Sequence, residues 1–247
     1  MKKWSNNMNK QMSESLPVGI LMAISGGLMD AYSYLYRGHV FANAQTGNVL
    51  LFSIYLSKGE RIQALHYAFP IVAFLSGVAL STFICHFGKH RDLLHWRQIC
   101  VLLEAVIFFT VAGFSQNMNL PANCLISLAC GIQVDTFRRV ENENVATTMC
   151  IGNLRSAMHS AIMCCLVNNR EDRHNAYISF AVVIAFAFGA IIGSVLIRHF
   201  GAYSIYFSSV VMLVCFFLMF ISPQAKRNNH INNEKSNPLT SELLRKK

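Results

Sequence analysis

Residues 41–57 read Phe41-Ala42-Asn43-Ala44-Gln45-Thr46-Gly47-Asn48, followed by Val-Leu-Leu-Phe-Ser-Ile-Tyr-Leu-Ser57. The second part is as apolar as a membrane span. The first part carries amides, a hydroxyl and a glycine that no lipid-exposed helix would keep. Polar backbone and amide groups stay at membrane depth only where protein or cavity water meets their hydrogen bonds. How this stretch is read decides how many times the chain crosses.

The rest of the sequence sets that question in a membrane. The 247 residues are 53% hydrophobic and 13% charged, against roughly 25% charged in an ordinary soluble domain. Mean hydropathy is +0.38. A soluble fold would need polar surface groups that this chain lacks, so soluble enzymes, disordered proteins and secreted disulfide scaffolds fit poorly. Spanning helices need about twenty mostly apolar residues. Eight apolar segments approach that: 17–36, 40–57, 66–88, 98–117, 121–137, 145–167, 176–198 and 203–222. Segment 145–167 is interrupted like 40–57, by Thr147, Thr148, Gly152, Asn153 and Arg155.

The two broken segments hold matching places in two halves, 17–117 and 121–222. Gly26-Gly27 and Asp30 match Gly131, Gln133 and Asp135, and Gly47-Asn48 matches Gly152-Asn153. Ala73-Phe74-x-x-Gly77 matches Ala185-Phe186-x-x-Gly189, and His86-Phe87-Gly88 matches His199-Phe200-Gly201. The offset grows from 104 to 113 residues, mostly near loop 168–175, where insertion is tolerated. Ordered agreement of this kind signals an internal repeat. Eight crossings would give parallel halves; six crossings plus two re-entrant segments would give inverted halves. Both arrangements put the two basic tails on one side.

Loop charges separate them. Eight crossings leave four inner basic residues against seven outer ones; six crossings reverse this, placing Lys89, Arg91, Arg97, Arg138, Arg139, Arg170 and Arg173 inside. Cytoplasmic loops carry the excess of Lys and Arg. The expected fold is therefore an all-α polytopic membrane protein with two inverted three-span repeats and re-entrant segments at 40–57 and 145–167. The net charge of +9 becomes topological information rather than a sign of nucleic-acid binding. Tail 1–16 and a disordered basic tail 223–247 are expected on the cytoplasmic side. No cleavable signal peptide is expected before the first span.

Ionisable groups at membrane depth are costly and become functional candidates. Asp30 leads: it sits midway along its segment with no route to the interface. Asp135 has Arg138 and Arg139 three and four residues ahead, which suits a local ion pair. Glu104 reads as an interfacial residue near the start of its segment. A chain unwound at Gly47 and restarted as a helix would aim N–H groups and a positive dipole inward, with Gly152, Asn153 and Arg155 facing it from the other half. The expected substrate-binding residues are Asp30, Asn43, Gln45, Thr46, Gly47, Asn48, Gln133, Asp135, Gly152, Asn153 and Arg155. Gly77-x-x-x-Ser81 and Gly189-x-x-x-Gly193 read as close helix contacts or a homodimer face.

The search for catalysis is negative. There is no G-x-S-x-G, H-E-x-x-H, Walker loop or G-x-G-x-x-G. The eight cysteines lie in or beside apolar segments without C-x-x-C spacing and read as buried free thiols. No cofactor, metal or catalytic residue is expected.

Gly26-Gly27-x-x-Asp30-Ala31, then Phe41, then Thr46-Gly47-Asn48, resembles the start of the bacterial YoaK family of small membrane proteins, which carries a domain of unknown function. Gly131-x-Gln133, Arg138-Arg139, Thr147-Thr148 and Gly152 look like that family's second motif. The likeness covers about 18–222. Val134-Asp135 and Ile151 depart from the family's Asn-Ala and Thr. The resemblance implies an integral inner-membrane protein, often suggested to be a transporter. The sequence thus points to a small secondary transporter or permease with a midplane polar site, binding lipids and a small solute or ion. The alternative is a non-transporting membrane protein, a partner subunit or lipid handler, whose polar residues only fix helix packing. A membrane enzyme ranks third.

Overall fold

The computed structural model describes residues 12–88, 95–141 and 143–221. The C-terminal tail, most of the N-terminal one, and the loop residues Lys89 and Arg91 lie outside them. Among the described residues the chain is all-α apart from one short hairpin, and it is a polytopic membrane protein. Its helices are α1 (Leu16–Tyr36), α2 (Gln45–Ser57), α3 (Arg61–Gly88), α4 (Trp96–Ala112), α5 (Asn119–Thr136), α6 (Cys150–Val167), α7 (Arg170–Phe200) and α8 (Tyr206–Leu218). Strands β1 (Arg139–Val140) and β2 (Glu143–Asn144) form the antiparallel hairpin between α5 and α6. Four helical runs are long and apolar enough to cross a bilayer: Leu16–Tyr36, Arg61–Gly88, Cys150–Val167 and Arg170–Leu218. The last is broken at Gly201, whose φ of 53° ends α7.

Side-chain size decides which face of each helix meets protein. On α3 and α7 the buried residues are mostly small, including Ala64, Gly77, Ser81, Ala185, Gly189 and Gly193. Phe83, Leu75, Ile184 and Ile191 on the same helices point outward and are more than half exposed. Lipid is as apolar as leucine, so helices associate by close backbone approach and polar contacts rather than by hiding large side chains.

The halves interleave. Each half's first helix packs most extensively on the third helix of the other: α1 on α7, and α5 on α3. A Cβ on Gly27 would collide with the Phe186 carbonyl, and one on Gly189 with the Ile24 carbonyl. Likewise, a Cβ on Gly131 would strike the Phe74 carbonyl, and one on Gly77 the Leu128 carbonyl. In both places glycine is required by close approach rather than by backbone angle.

Contacts between helix ends fix the path of the chain. At one end Arg97, heading α4, pairs with Glu14 at 2.7 Å just before α1. Glu141 in the β1–β2 turn donates its N–H to the Glu14 carbonyl and also meets His174 near the start of α7 at 2.8 Å. Arg138, Arg139, Arg170 and Arg173 gather there as well, so this is the basic end. At the opposite end Arg37, following α1, bonds carbonyls at the close of α4. Gly38 lies beside His66 in the first turns of α3, and Tyr32 donates to the Ala202 carbonyl at 3.2 Å.

Helices α1 and α4 therefore begin at the same end. The chain from 37 to 61 leaves the opposite end and returns to it, and the chain from 141 to 170 does the same at the basic end. Helix α2, with 13 residues, is about 20 Å long and too short to cross. Helix α6 is long enough by itself, but it starts level with the middle of α1 and ends beside Arg170. Ser209 donates to the Ala105 carbonyl at 2.8 Å while Tyr206 meets Phe109 at 5.1 Å between ring centroids. This pairing runs α8 antiparallel to α4.

The glycine contacts predict a contrast. Gly131→Ala should destabilise the protein by about 2 kcal/mol or more, because overpacking against backbone forces α3 and α5 apart. Gly152→Ala, where nothing lies within 4 Å, should be neutral or stabilise by up to about 1 kcal/mol through helix propensity. Thermal unfolding in detergent measures both; equal losses would contradict this packing.

Candidate functional site

Both broken segments fold back to the same place on α1. Residues 40–44 run inward from the opposite end, where Asn43 meets the middle of α1 before α2 turns outward. Asn43 donates Nδ2–H to the Gly26 carbonyl at 3.0 Å, and its backbone N–H donates to Asp30 Oδ1 at 2.8 Å. Ser33 Oγ accepts the Ala42 N–H at 3.2 Å and donates to the Asp30 carbonyl. From the basic end, residues 145–149 run inward until Thr148 lies over Gly26. Gln133 of α5 donates Nε2–H to the Met22 carbonyl at 3.0 Å and to Thr147 Oγ1 at 3.3 Å. Glycine at 26 leaves room for the Thr148 tip and offers its carbonyl to Asn43 of the other.

The tips are held by one device used twice. Asn48 receives the Phe41 N–H on Oδ1 at 3.1 Å and gives Nδ2–H to the Phe41 carbonyl at 2.6 Å. Asn153 treats Ala146 identically, at 3.2 and 2.7 Å. Each asparagine reaches back seven residues and supplies both bonds a strand neighbour would provide. That satisfies an extended segment which has no sheet partner at this depth. Gln45 belongs to the first clamp, accepting from Asn48 and donating to the Ala42 carbonyl. Gly47 lies flat against the Phe41 ring.

The predicted residues therefore separate into groups. Asp30, Asn43 and Gln133 converge on the middle of α1. Asn48, Asn153, Gln45 and Gly47 shape the tips. Thr46, Gly152 and Arg155 are exposed on the outer faces of α2 and α6, away from the convergence. Asp135 lies nearer the basic end. It pairs with Arg138 and accepts from Ser81 at 2.6 Å and Thr82 at 3.2 Å. Arg138 reaches it from beyond the end of α5 rather than along a shared helical face. Asp135 and Arg138 border two cavities of about 430 and 400 Å³.

Around the convergence, four buried polar atoms have no hydrogen-bond partner among the described residues: Ser25 Oγ, Asn43 Oδ1, Gln133 Oε1 and Thr148 Oγ1. The two amide oxygens can only accept. Asp30 has no cationic partner among the described residues. Among those residues, no three of His, Cys, Asp and Glu come together as metal ligands. What the place offers is acceptor oxygens and a carboxylate, suited to a guest that donates hydrogen bonds.

A scan against family models matches residues 18–218 to a family described as protein of unknown function, DUF1275. The chain belongs to the DUF1275 family. Among curated proteins, it is 27% identical over 144 residues to the UPF0700 transmembrane protein YoaK of Bacillus subtilis (strain 168). That match covers 56% of this chain and 63% of the relative's length. No solved structure matches. Membership of DUF1275 agrees with the YoaK-like motifs and with a transmembrane protein, and names no activity.

Sequence reasoning missed two residues of this DUF1275 chain. Arg37 counted as a loop charge, but its side chain is wholly buried. It donates to the carbonyls of Val111, Phe114 and Ser115, to Asn119 Oδ1, and twice to Tyr32 Oη, at 2.8–3.3 Å. Tyr32 and Tyr36 lie 5.3 and 5.2 Å from its guanidinium carbon. The cation thus caps the negative end of α4 without a carboxylate. The two tyrosines just ahead of it were the available signal. Glu104, read as interfacial, is fully buried. Its place between Cys100 and Phe108, all on one α4 face, was visible as helical spacing.

Arg37→Met should lower stability by about 3 kcal/mol or more, since each buried acceptor left unpaired costs roughly 1–3 kcal/mol. Arg37→Lys should recover only part, having no planar fork. An unchanged melting temperature for Arg37→Met would remove this role.

Proposed function

We propose that the protein is a small secondary transporter or permease, built as two inverted three-span repeats, with its substrate site where the two re-entrant tips meet α1. One observation carries the reading: buried polar atoms that have no partner among the described residues gather at the middle of the bundle, around an aspartate with no counter-ion among them. Groups this costly to keep at membrane depth mark solute or ion paths. Asp30 is the coupling carboxylate. Asn43, Gln133, Ser25 and Thr148 line the chamber, and the Asn48 and Asn153 clamps hold its two walls. Asp135, between the cavities of the basic end, belongs to the approach. The roles are binding and coupling, not catalysis.

The basic end faces the cytoplasm of a bacterial inner membrane in this reading. Arg97, Arg138, Arg139, Arg170 and Arg173 lie there, while Lys58, Arg61 and Arg198 lie opposite and Arg37 is buried. The positive-inside bias supports that orientation. Anionic lipid headgroups are the natural neighbours of the basic end.

A specific observation favours the second reading, in which polar residues only fix packing. Asn48 and Asn153 spend both ends of their amides on their own loops. The two readings part on water access. In a cysteine-free background, Asn43→Cys should react with a membrane-impermeant thiol reagent. In liposomes, the wild type should carry at least one of a panel of sodium, potassium, glycerol, urea and small amines above the protein-free rate. Asp30→Asn should cut that flux about tenfold or more, the order of effect expected when a coupling charge worth over 1.4 kcal/mol is lost. Protection of position 43 together with no flux from any solute would hand the case to packing.

A further inference from the structure

Glu104 sits in the core shared by α1, α4, α5 and α8, with 0% of its surface exposed. Neither carboxyl oxygen has a hydrogen-bond partner among the described residues. The core around it holds apolar side chains and thiols together with the buried hydroxyls of Ser208 and Ser209 on α8, Ser209 being bonded to the neighbouring Ala105 carbonyl. Cys100 and Phe108 lie one turn to either side on the same buried face of α4. Cys130 of α5 and Cys215 of α8 are also buried in this core. Arg97, about two turns nearer the basic end on α4, is engaged by Glu14 and Ser13.

A bare carboxylate in such a place costs far more than taking up a proton. A metal cation would need several oxygen ligands, and among the described residues no group of three His, Cys, Asp or Glu side chains comes together to hold one. We propose that Glu104 is a proton-binding site, separate from Asp30, which holds a proton inside the membrane at neutral pH. The ligand is the proton itself. The inference does not rest on the transport reading: a protein that moves no solute but binds this proton would keep one and lose the other.

A neutral carboxyl surrounded by hydrocarbon is open to a lipid-soluble carbodiimide. The acid adds across one N=C bond, its proton going to nitrogen and its oxygen to the central carbon. Acyl transfer to nitrogen then gives a stable N-acylurea with no leaving group. The full chain in liposomes is treated with dicyclohexylcarbodiimide and the adduct mapped by mass spectrometry. The adduct is expected on Glu104, in the wild type and in Asp30→Asn alike. Labelling should fall about tenfold per pH unit above the carboxyl's midpoint.

Infrared spectra should show a protonated-carboxyl stretch at neutral pH that disappears in Glu104→Gln. Mapping in the wild type needs no variant, so a failure of Glu104→Gln to fold leaves the test intact. Protection of Glu104 by sodium would make it a cation site and overturn the proposal. So would a wild-type spectrum without a protonated-carboxyl stretch, or an adduct confined to other residues.

Discussion

The structure depends on close approach of backbone to backbone between the two halves. At Gly27 and Gly189 on one side, and Gly77 and Gly131 on the other, helices come so near that a single methyl group would occupy a carbonyl's place. Water does not drive apolar helices together inside a bilayer, so contact distance itself supplies the attraction. Once α1 is seated on α7 and α5 on α3, the loops between them have little choice. The stretches 37–61 and 141–170 must return to the ends they left, and their tips arrive at Gly26 from opposite directions. Glycine therefore does two jobs on α1. Gly27 admits the neighbouring helix, and Gly26 admits the Thr148 tip while its carbonyl holds Asn43 of the other.

Inside that frame, polar groups are used in two distinct ways. The asparagine clamps at Asn48 and Asn153 are self-contained: each satisfies the backbone of its own inward strand and turns it into a firm hook. Arg37 is satisfied equally fully, its charge answered by the carbonyl end of α4 and two tyrosine rings. Asp30, Asn43, Gln133 and Glu104 differ, since each keeps at least one polar function unanswered or unopposed by charge. Protein interiors tolerate few such groups. Their presence at mid-bundle is the reason a solute path and a proton site are read here.

Much of this was legible beforehand. Composition identified a membrane protein, and the motif from Gly26 to Asn48 identified the family that the wider comparison shows. Basic loop residues favoured six crossings over eight; among the described residues four helical runs are long and apolar enough to cross. The individual roles were harder to read. Asn48 and Asn153 look like ligands in sequence because an amide that bonds its own backbone and one that bonds a solute are written alike. Thr46, Gly152 and Arg155 were grouped with them by proximity in sequence, yet helical rotation turns all three outward. Arg37 was taken for an exposed charge because it follows an apolar run, a position from which a long side chain can reach either into water or back into protein. Glu104 was placed at an edge by where its segment was taken to begin.

The interleaving of halves has a consequence for how the chain is made. The contact between Ile24 and Gly189 joins residues 165 positions apart. At roughly 5–20 residues per second, the first helix waits about 8–30 s for its main partner to leave the ribosome. During that interval the Gly27 side of α1 lacks the helix it is shaped for, while Gly26 and Asp30 can already bond Asn43 of the first tip. Neither half can complete its own interior before the other arrives, so this bundle is assembled as a whole and not as two finished domains that later dock.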